Sequence, residues 1–293
     1  MKAKVIVGLM VALLLFSLPG CGQTSSSDTA PASTTSESSS EEKQSDEKNV
    51  KEEKPTEISY DNLPLCSNDK VDVTLSKISD EGITIKITNK TDDIVSISQA
   101  GIALDGQCLM NTGYALLYED LVPNSTLEHL IPYELDEVEH QTISGVFELM
   151  KKDEDGNGWN DGYLSFSNVD LGHDAHPLWA DSPDAQILYE DDQVVCSFYR
   201  ILGSQFAVSI TNKGSELIRT LCDSISVNGQ MITEMSSDGA DILPGCESIL
   251  IIDLLDYDLE SEVKSGDTIA GIIDIFGQDH MGTGNISFNM TVK

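Results

Sequence analysis

The chain has 293 residues, 50 of them acidic and 17 basic, for a net charge of −33. That balance excludes a nucleic-acid binder, which needs a basic surface to meet phosphate, and excludes electrostatic docking onto anionic lipid headgroups. The 40% of hydrophobic residues is enough for real cores, the length suggests two domains, and six cysteines are too few for a small disulfide scaffold.

The first element is an export signal. Lys2 and Lys4 form a short positive region, and residues 5–18 are an apolar run of 14, broken only by Gly8 and Ser17. As a helix that run would cover about 21 Å, short of a ~30 Å hydrocarbon core, so residues 1–20 read as a signal peptide and not a permanent span. Leu18-Pro19-Gly20-Cys21 follows. It resembles the lipobox of bacterial prolipoproteins through Leu18, Gly20 and Cys21, with Pro19 departing from the usual small or aliphatic residue. The resemblance implies a diacylglyceryl group on the Cys21 thiol and cleavage just before it. The expected partner is then the membrane itself, with the protein lipid-anchored on its extracytoplasmic face. Two acyl chains on one residue anchor stably where one is marginal.

Residues 21–57 read as a disordered tether behind the lipidated cysteine. From Gln23 to Glu57 the chain is Ser, Thr, Glu, Lys, Asp and Pro, with Val50 the only large aliphatic residue. Nothing there offsets the entropy of ordering. Its 35 residues, nine acids against four lysines, span about 30–35 Å as a random coil and stretch further by self-repulsion.

Residues 58–169 read as strands. Ile83, Ile85 and Ile87 alternate with Thr84, Lys86 and Thr88, the period of a half-buried strand. Asn89-Lys90-Thr91-Asp92-Asp93 is turn chemistry, and Asp105-Gly106 is a strong hairpin signal. A short acidic stretch, 133–139, is the one helical suspicion, with a counterpart at 255–263. Near the end, Asp153, Asp155, Asn157 and Asp161, with the Trp159 carbonyl, match oxygen-donor positions of a calcium loop. The bidentate acid expected at position 12 is replaced by Leu164, so any Ca²⁺ would bind weakly, near ~10⁻⁴–10⁻³ M, and a solvated hairpin turn explains the same residues. Residues 170–185 form a connector in which His173 and His176 flank Asp174 and Ala175. Two imidazoles three apart could hold a transition metal, but a third and fourth ligand are not evident, and a polar turn before Pro177 suffices.

Residues 186–293 repeat the first unit. Shifted by 123, Ile83-Thr84-Ile85-Lys86-Ile87-Thr88-Asn89-Lys90 falls on Phe206-Ala207-Val208-Ser209-Ile210-Thr211-Asn212-Lys213, and Ile102-Ala103-Leu104-Asp105-Gly106-Gln107 falls on Ile225-Ser226-Val227-Asn228-Gly229-Gln230. Nine columns between 71 and 107 are identical, where average usage would give about two. Further on the register drifts: Val122-Pro123-Asn124 recurs as Leu243-Pro244-Gly245, and Leu164-Ser165-Phe166 as Ile286-Ser287-Phe288. Short strands with frequent turns, in units of about 110 residues, predict an all-β protein of two tandem immunoglobulin-like β-sandwich domains.

The second unit, through Val227-Asn228-Gly229, Leu243-Pro244-Gly245 and Asp258-Leu259-Glu260, is similar to repeats of uncharacterised surface lipoproteins of Gram-positive bacteria. The resemblance implies the fold and attaches no activity to it.

Catalytic signals fail on context. There is no Gly-x-Ser-x-Gly, and Ser67-Asn68-Asp69-Lys70, Ser226-Val227-Asn228 and Lys264-Ser265-Gly266 mimic the motifs of penicillin-binding enzymes without the helix those motifs need. Beyond Cys21 five cysteines remain, Cys66, Cys108, Cys196, Cys222 and Cys246, an odd number with no CxxC. Cys196 falls on Val73 across the repeat, which predicts a buried, unpaired thiol. The expected function is a non-catalytic binding or envelope-structural module with a protein or glycan ligand and no cofactor. The alternatives are a calcium-dependent adhesion or ligand-binding protein, a solute-binding lipoprotein, which would need alternating strands and helices, and a hydrolase.

Overall fold

Runs that alternate Val, Ile or Thr with polar residues become strands in the computed structural model, which describes residues 55–110, 118–152, 158–202, 204–237, 239–254, 263–279 and 281–293. Residues 1–54, which hold the expected signal peptide, Cys21 and most of the expected tether, lie outside the described residues. The first repeat comprises β1 (Glu57–Ser67), β2 (Val71–Ser79), β3 (Gly82–Asn89), β4 (Val95–Leu104), β5 (Gln107–Cys108), β6 (Tyr118–Leu121), β7 (Thr126–Pro132), β8 (Thr142–Lys152) and β9 (Gly158–Asp170). The second comprises β10 (Gln186–Glu190), β11 (Val194–Leu202), β12 (Gln205–Asn212), β13 (Ile218–Val227), β14 (Gln230–Met231), β15 (Met235–Ser237), β16 (Ala240–Ile242), β17 (Glu247–Leu254), β18 (Thr268–Phe276) and β19 (Gly282–Thr291).

Each repeat is a pair of facing sheets. In the first the orders are β1-β2-β3-β7 and β5-β4-β8-β9, with β6 on β4. In the second they are β10-β11-β12-β17, with β15 on β17, and β14-β13-β18-β19, with β16 on β13. The first core is built from Val73, Leu75, Ile83, Ile85 and Ile87 on one sheet against Ile97, Ile102, Leu104, Phe147 and Phe166 on the other. The second sets Cys196, Phe198, Phe206, Val208 and Ile210 against Ile225, Val227, Ile269, Ile273 and Phe288. The protein is therefore all-β, two immunoglobulin-like sandwiches in tandem. Among the described residues there is no helix. The stretch 133–139 is an irregular segment with Leu135 and Val138 buried, because the Tyr133 and Leu135 amides donate to the carbonyls of Glu81 (3.0 Å) and Asp80 (3.1 Å) instead of starting a helical turn. Seven residues are too few to nucleate a helix unaided.

The repeat extends to irregularities. A bulge interrupts β2 between Leu75 and Lys77, and β11 between Phe198 and Arg200. A second separates Pro64 from Cys66 in β1, and Ile187 from Tyr189 in β10. A third separates Gln99 from Gly101 in β4, and Cys222 from Ser224 in β13. Ile85 pairs with Leu75 as Val208 pairs with Phe198, and both Ile85 and Val208 point into their cores. Gly145 lies beneath Phe166 and Gly271 beneath Phe288; a Cβ on either glycine would come within 2.6 and 2.7 Å of the ring. The Thr-Asn-Lys signature is structural too. Asn89 donates to the Leu121 carbonyl at 3.0 Å, Asn212 to that of Ile242 at 2.9 Å, and both side chains are fully enclosed. Asp105 and Asn228 adopt φ of 50° and 52° ahead of Gly106 and Gly229, the left-handed pair that an Asx-Gly hairpin turn requires.

One parallel bridge joins the repeats. Gln107 of β5 pairs with Glu247 of β17, so the second sheet of the first repeat and the first sheet of the second run on as one ten-stranded sheet. Residues Glu53–Lys293 form a single compact unit in consequence.

Candidate functional site: the seam between the repeats

The strand β4 is buried on both faces. Ile97, Ile102 and Leu104 enter the core of the first repeat, while Ala100 and Ala103 pack into the apolar cluster of the second. The bulge at Gly101 lets one strand serve both. Such irregularities re-aim side chains, and Gly101 lets Leu243 and Leu217 approach within 3.4 and 3.6 Å of where its Cβ would stand. Leu217 and Leu243 are 1% and 2% exposed as a result. Further along the seam, the outer face of β11, β12 and β17 carries Tyr199, Ala207 and Ile249, which pack against Met110 and Trp179. The Gln107 amide clamps the connector through two bonds of 3.1 Å, donating to the Trp179 carbonyl and accepting from the Trp179 amide.

Two thiols meet at the bridge. Cys108 follows Gln107 and Cys246 precedes Glu247, and both are buried. Their mutual interaction is the largest influence on each proton, raising the Cys108 thiol and lowering that of Cys246. The Leu243 amide donates to the Cys108 Sγ at 3.4 Å. Spacing along the chain gave no hint of this pair, because each cysteine is peculiar to its own repeat.

Beside the seam lies a groove of about 400 Å³. Tyr163, Ser165, Ser167, Ser215, Glu216 and Gln278 supply its polar walls, with Leu217, Leu243 and Pro244 beneath. The Tyr163 hydroxyl donates to the Gln278 carbonyl at 2.8 Å, tying the wall of one repeat to the other. Burial, reinforced by the nearby Glu148 charge, pushes that phenol above its ordinary value, so it stays a neutral donor. Hydroxyls, one side-chain amide and the Glu216 carboxylate beside apolar side chains suit a polar ligand without negative charge, and clefts between domains are a common place for such sites. A larger cavity, about 700 Å³, opens by the connector, with Phe198 and Met290 below and Asp181, Asp184, Arg200 and Lys293 at its rim. There the Arg200 guanidinium stands 5.0 Å from the centre of the Tyr199 ring, within cation–π range.

The hairpin turn of the first repeat is held by a buried hydrogen-bonded cluster. The Asp105 carboxylate accepts from the amides of Gln141 and Thr142, both at 2.8 Å, and from that of His176, also at 2.8 Å. His140 meets it at 2.9 Å through Nδ1 and donates from Nε2 to the Glu137 carbonyl at 3.1 Å. The His140 and Asp105 side chains are 1% and 4% exposed. In the second repeat an exposed Asn228 takes the place of Asp105, accepting from Thr268 at 2.9 Å.

Of the acidic loop, Asp153, Asp155 and Asn157 lie outside the described residues. Trp159 is paired in the β8–β9 ladder opposite Lys151, and Asp161 bonds to the Lys70 ammonium at 2.5 Å. His173 approaches Glu139 at 3.7 Å, while His176 contributes its backbone amide to Asp105. Among the described residues no group of three or more His, Cys, Asp or Glu side chains is set to hold a metal. Ser67 bonds to Asp72, and Ser226 to the Ala270 carbonyl at 3.4 Å, as strand residues do.

No protein-family model matches the chain, and no curated protein matches its sequence. Among solved structures, pT26-6p aligns with 80% of this chain at 9% identity and a TM-score of 0.22; the alignment spans 65% of that protein's length. The fibronectin(III)-like modules of Clostridium thermocellum CbhA align with 73% of this chain and 86% of theirs, at 11% identity and a TM-score of 0.17. The fold assignment rests on the strand order and register themselves.

Proposed function

We propose that this protein is a lipid-anchored, extracytoplasmic binding module that takes a polar protein or glycan ligand in the groove between its repeats, without catalysis. Anchoring is carried by one observation: Cys21 stands at the end of an apolar run and immediately before a polar tract. The tether then sets the folded repeats off the membrane, and the hydroxyl-lined seam supplies the recognition surface. Among the described residues of that lining no serine hydroxyl is hydrogen-bonded to a base, the pairing that nucleophilic hydrolysis uses. Cys21→Ser releases the protein from membranes or leaves an uncut precursor. Unchanged processing and membrane retention in that variant end the anchoring claim.

A further inference from the structure

Duplication places the same surface in two settings, and one of them is empty. In the second repeat Leu217, Leu243 and Ile251 lie against the first repeat or the connector. The register carries them onto Ile94, Val122 and Leu130: Asn89 and Asn212 brace equivalent loops, and Leu130 lies opposite Thr84 as Ile251 lies opposite Ala207. Those three are large apolar side chains exposed at 62%, 57% and 39%. The other half of the seam is also duplicated. Cys108 pairs with Ala103 as Met231 pairs with Ser226, and Met231 is 56% exposed. Val146, opposite Gly101, corresponds to the half-buried Ile272, opposite Ser224. The edges match as well. Where β5 meets β17 inside the molecule, among the described residues no strand pairs with β14 beyond β13 or with the outer edge of β7.

We infer that a second copy of this chain docks here, the Ile94–Val122–Leu130 surface of one copy seating on the β13–β14 face of the next in the geometry of the internal seam. The two patches are different and complementary, so the contact is head-to-tail and propagates unless it closes on itself. It is narrower than the internal seam. Ser76, Thr84 and Glu128 stand where Tyr199, Ala207 and Ile249 make the outer apolar face, and Asp223 stands where β4 has Ala100. Association is therefore weak and reversible, and a net charge of −33 opposes it until salt screens the repulsion.

The internal thiol pair provides the test. Ser125 and Met231 occupy the positions of Cys246 and Cys108; the Asn89 amide donates to Ser125 as the Asn212 amide donates to Cys246. Ser125→Cys and Met231→Cys are combined in the purified full-length chain in mild detergent, with Cys66→Ser to remove the half-buried thiol, and mild oxidation is followed on a non-reducing gel. A ladder of dimers, trimers and longer species is expected from the double substitution, while either substitution alone stops at dimer. Ladder formation should rise with ionic strength and disappear when Ile94→Asp and Val122→Asp are added, both at exposed positions that leave the fold intact. A double variant that yields neither species above dimer nor a doubly cross-linked closed dimer overturns the inference. So does a ladder that survives the two aspartates or fades with salt.

Discussion

Between the two repeats, strand order, core and bulges agree, yet β4 and its counterpart β13 live in different surroundings. Along β4 the residues facing away from the core are Ala100, Gly101 and Ala103, small enough for Leu217 and Leu243 to close over them. Along β13 the same positions are Asp223, Ser224 and Ser226, which face solvent or are half-buried. A fold can thus be copied unchanged while its outer face is rewritten residue by residue, and the rewritten face decides whether a sandwich stands alone or binds its neighbour.

The sharpest way to separate the repeats is at their equivalent hairpins. Asp105→Ala strips His140 of its buried carboxylate and leaves three amides without an acceptor, so it should cost roughly 3–5 kcal/mol in urea unfolding. Asn228→Ala, at an exposed turn, should cost about 1 kcal/mol. Equal losses would show that the Asp105 cluster is incidental to stability. Next comes the seam. Gly101→Leu inserts a side chain beneath Leu217 and Leu243 and should destabilise by about 1–3 kcal/mol, whereas Ser224→Leu should stay within about 0.5 kcal/mol. If both substitutions behave alike, the repeats do not pack as described.

The difference that shows only above pH 9 is chemical. Cys196 lies in the second core where the first has Val73, and burial pushes its thiol up to about 12. The unfolded thiol ionises near its ordinary value of 9.0, so the folded form binds more protons between those limits. Stability from this group is complete below pH 9 and falls as pH rises, by up to about 1.4 kcal/mol per pH unit. Cys196→Val should flatten the alkaline limb of a stability–pH curve. In the native protein a thiol-reactive probe should leave Cys196 untouched until unfolding, and rapid labelling would contradict its place in β11.

Strand content and repeat register were legible because they rest on local period and on a second copy of the same pattern. Ile83, Ile85 and Ile87 declare their face by alternation, and Phe206, Val208 and Ile210 restate it. The seam was not legible, because it depends on residues whose local pattern is satisfied either way. Ala100-Gly101 reads as a weak point in a strand, and its meaning appears only when Leu217 and Leu243, more than a hundred residues on, are brought against it. Cys108 and Cys246 carry no motif spacing, and the His140–Asp105 pair is not restated in the second repeat, where Asn228 stands in place of Asp105. The suspected helix at 133–139 misled because acidic residues mask a stretch that is tied down by backbone bonds to the β2–β3 turn.

The matched bulges carry a kinetic hazard. Because β2 and β11, and likewise β4 and β13, kink at equivalent places, a strand of one repeat is geometrically acceptable to the sheet of the other while both are unfolded. Tandem copies of a non-local β topology fold slowly and are prone to exchange strands between neighbours. Synthesis from the N-terminus lets the first repeat finish before the last strands of the second emerge, and the divergence of most side chains outside the Thr-Asn-Lys and Gly-Gln columns penalises a wrong partner. Refolding from denaturant removes that order of events. It should therefore yield more misassembled chain than synthesis does, with the excess vanishing when the repeats are allowed to fold one after the other.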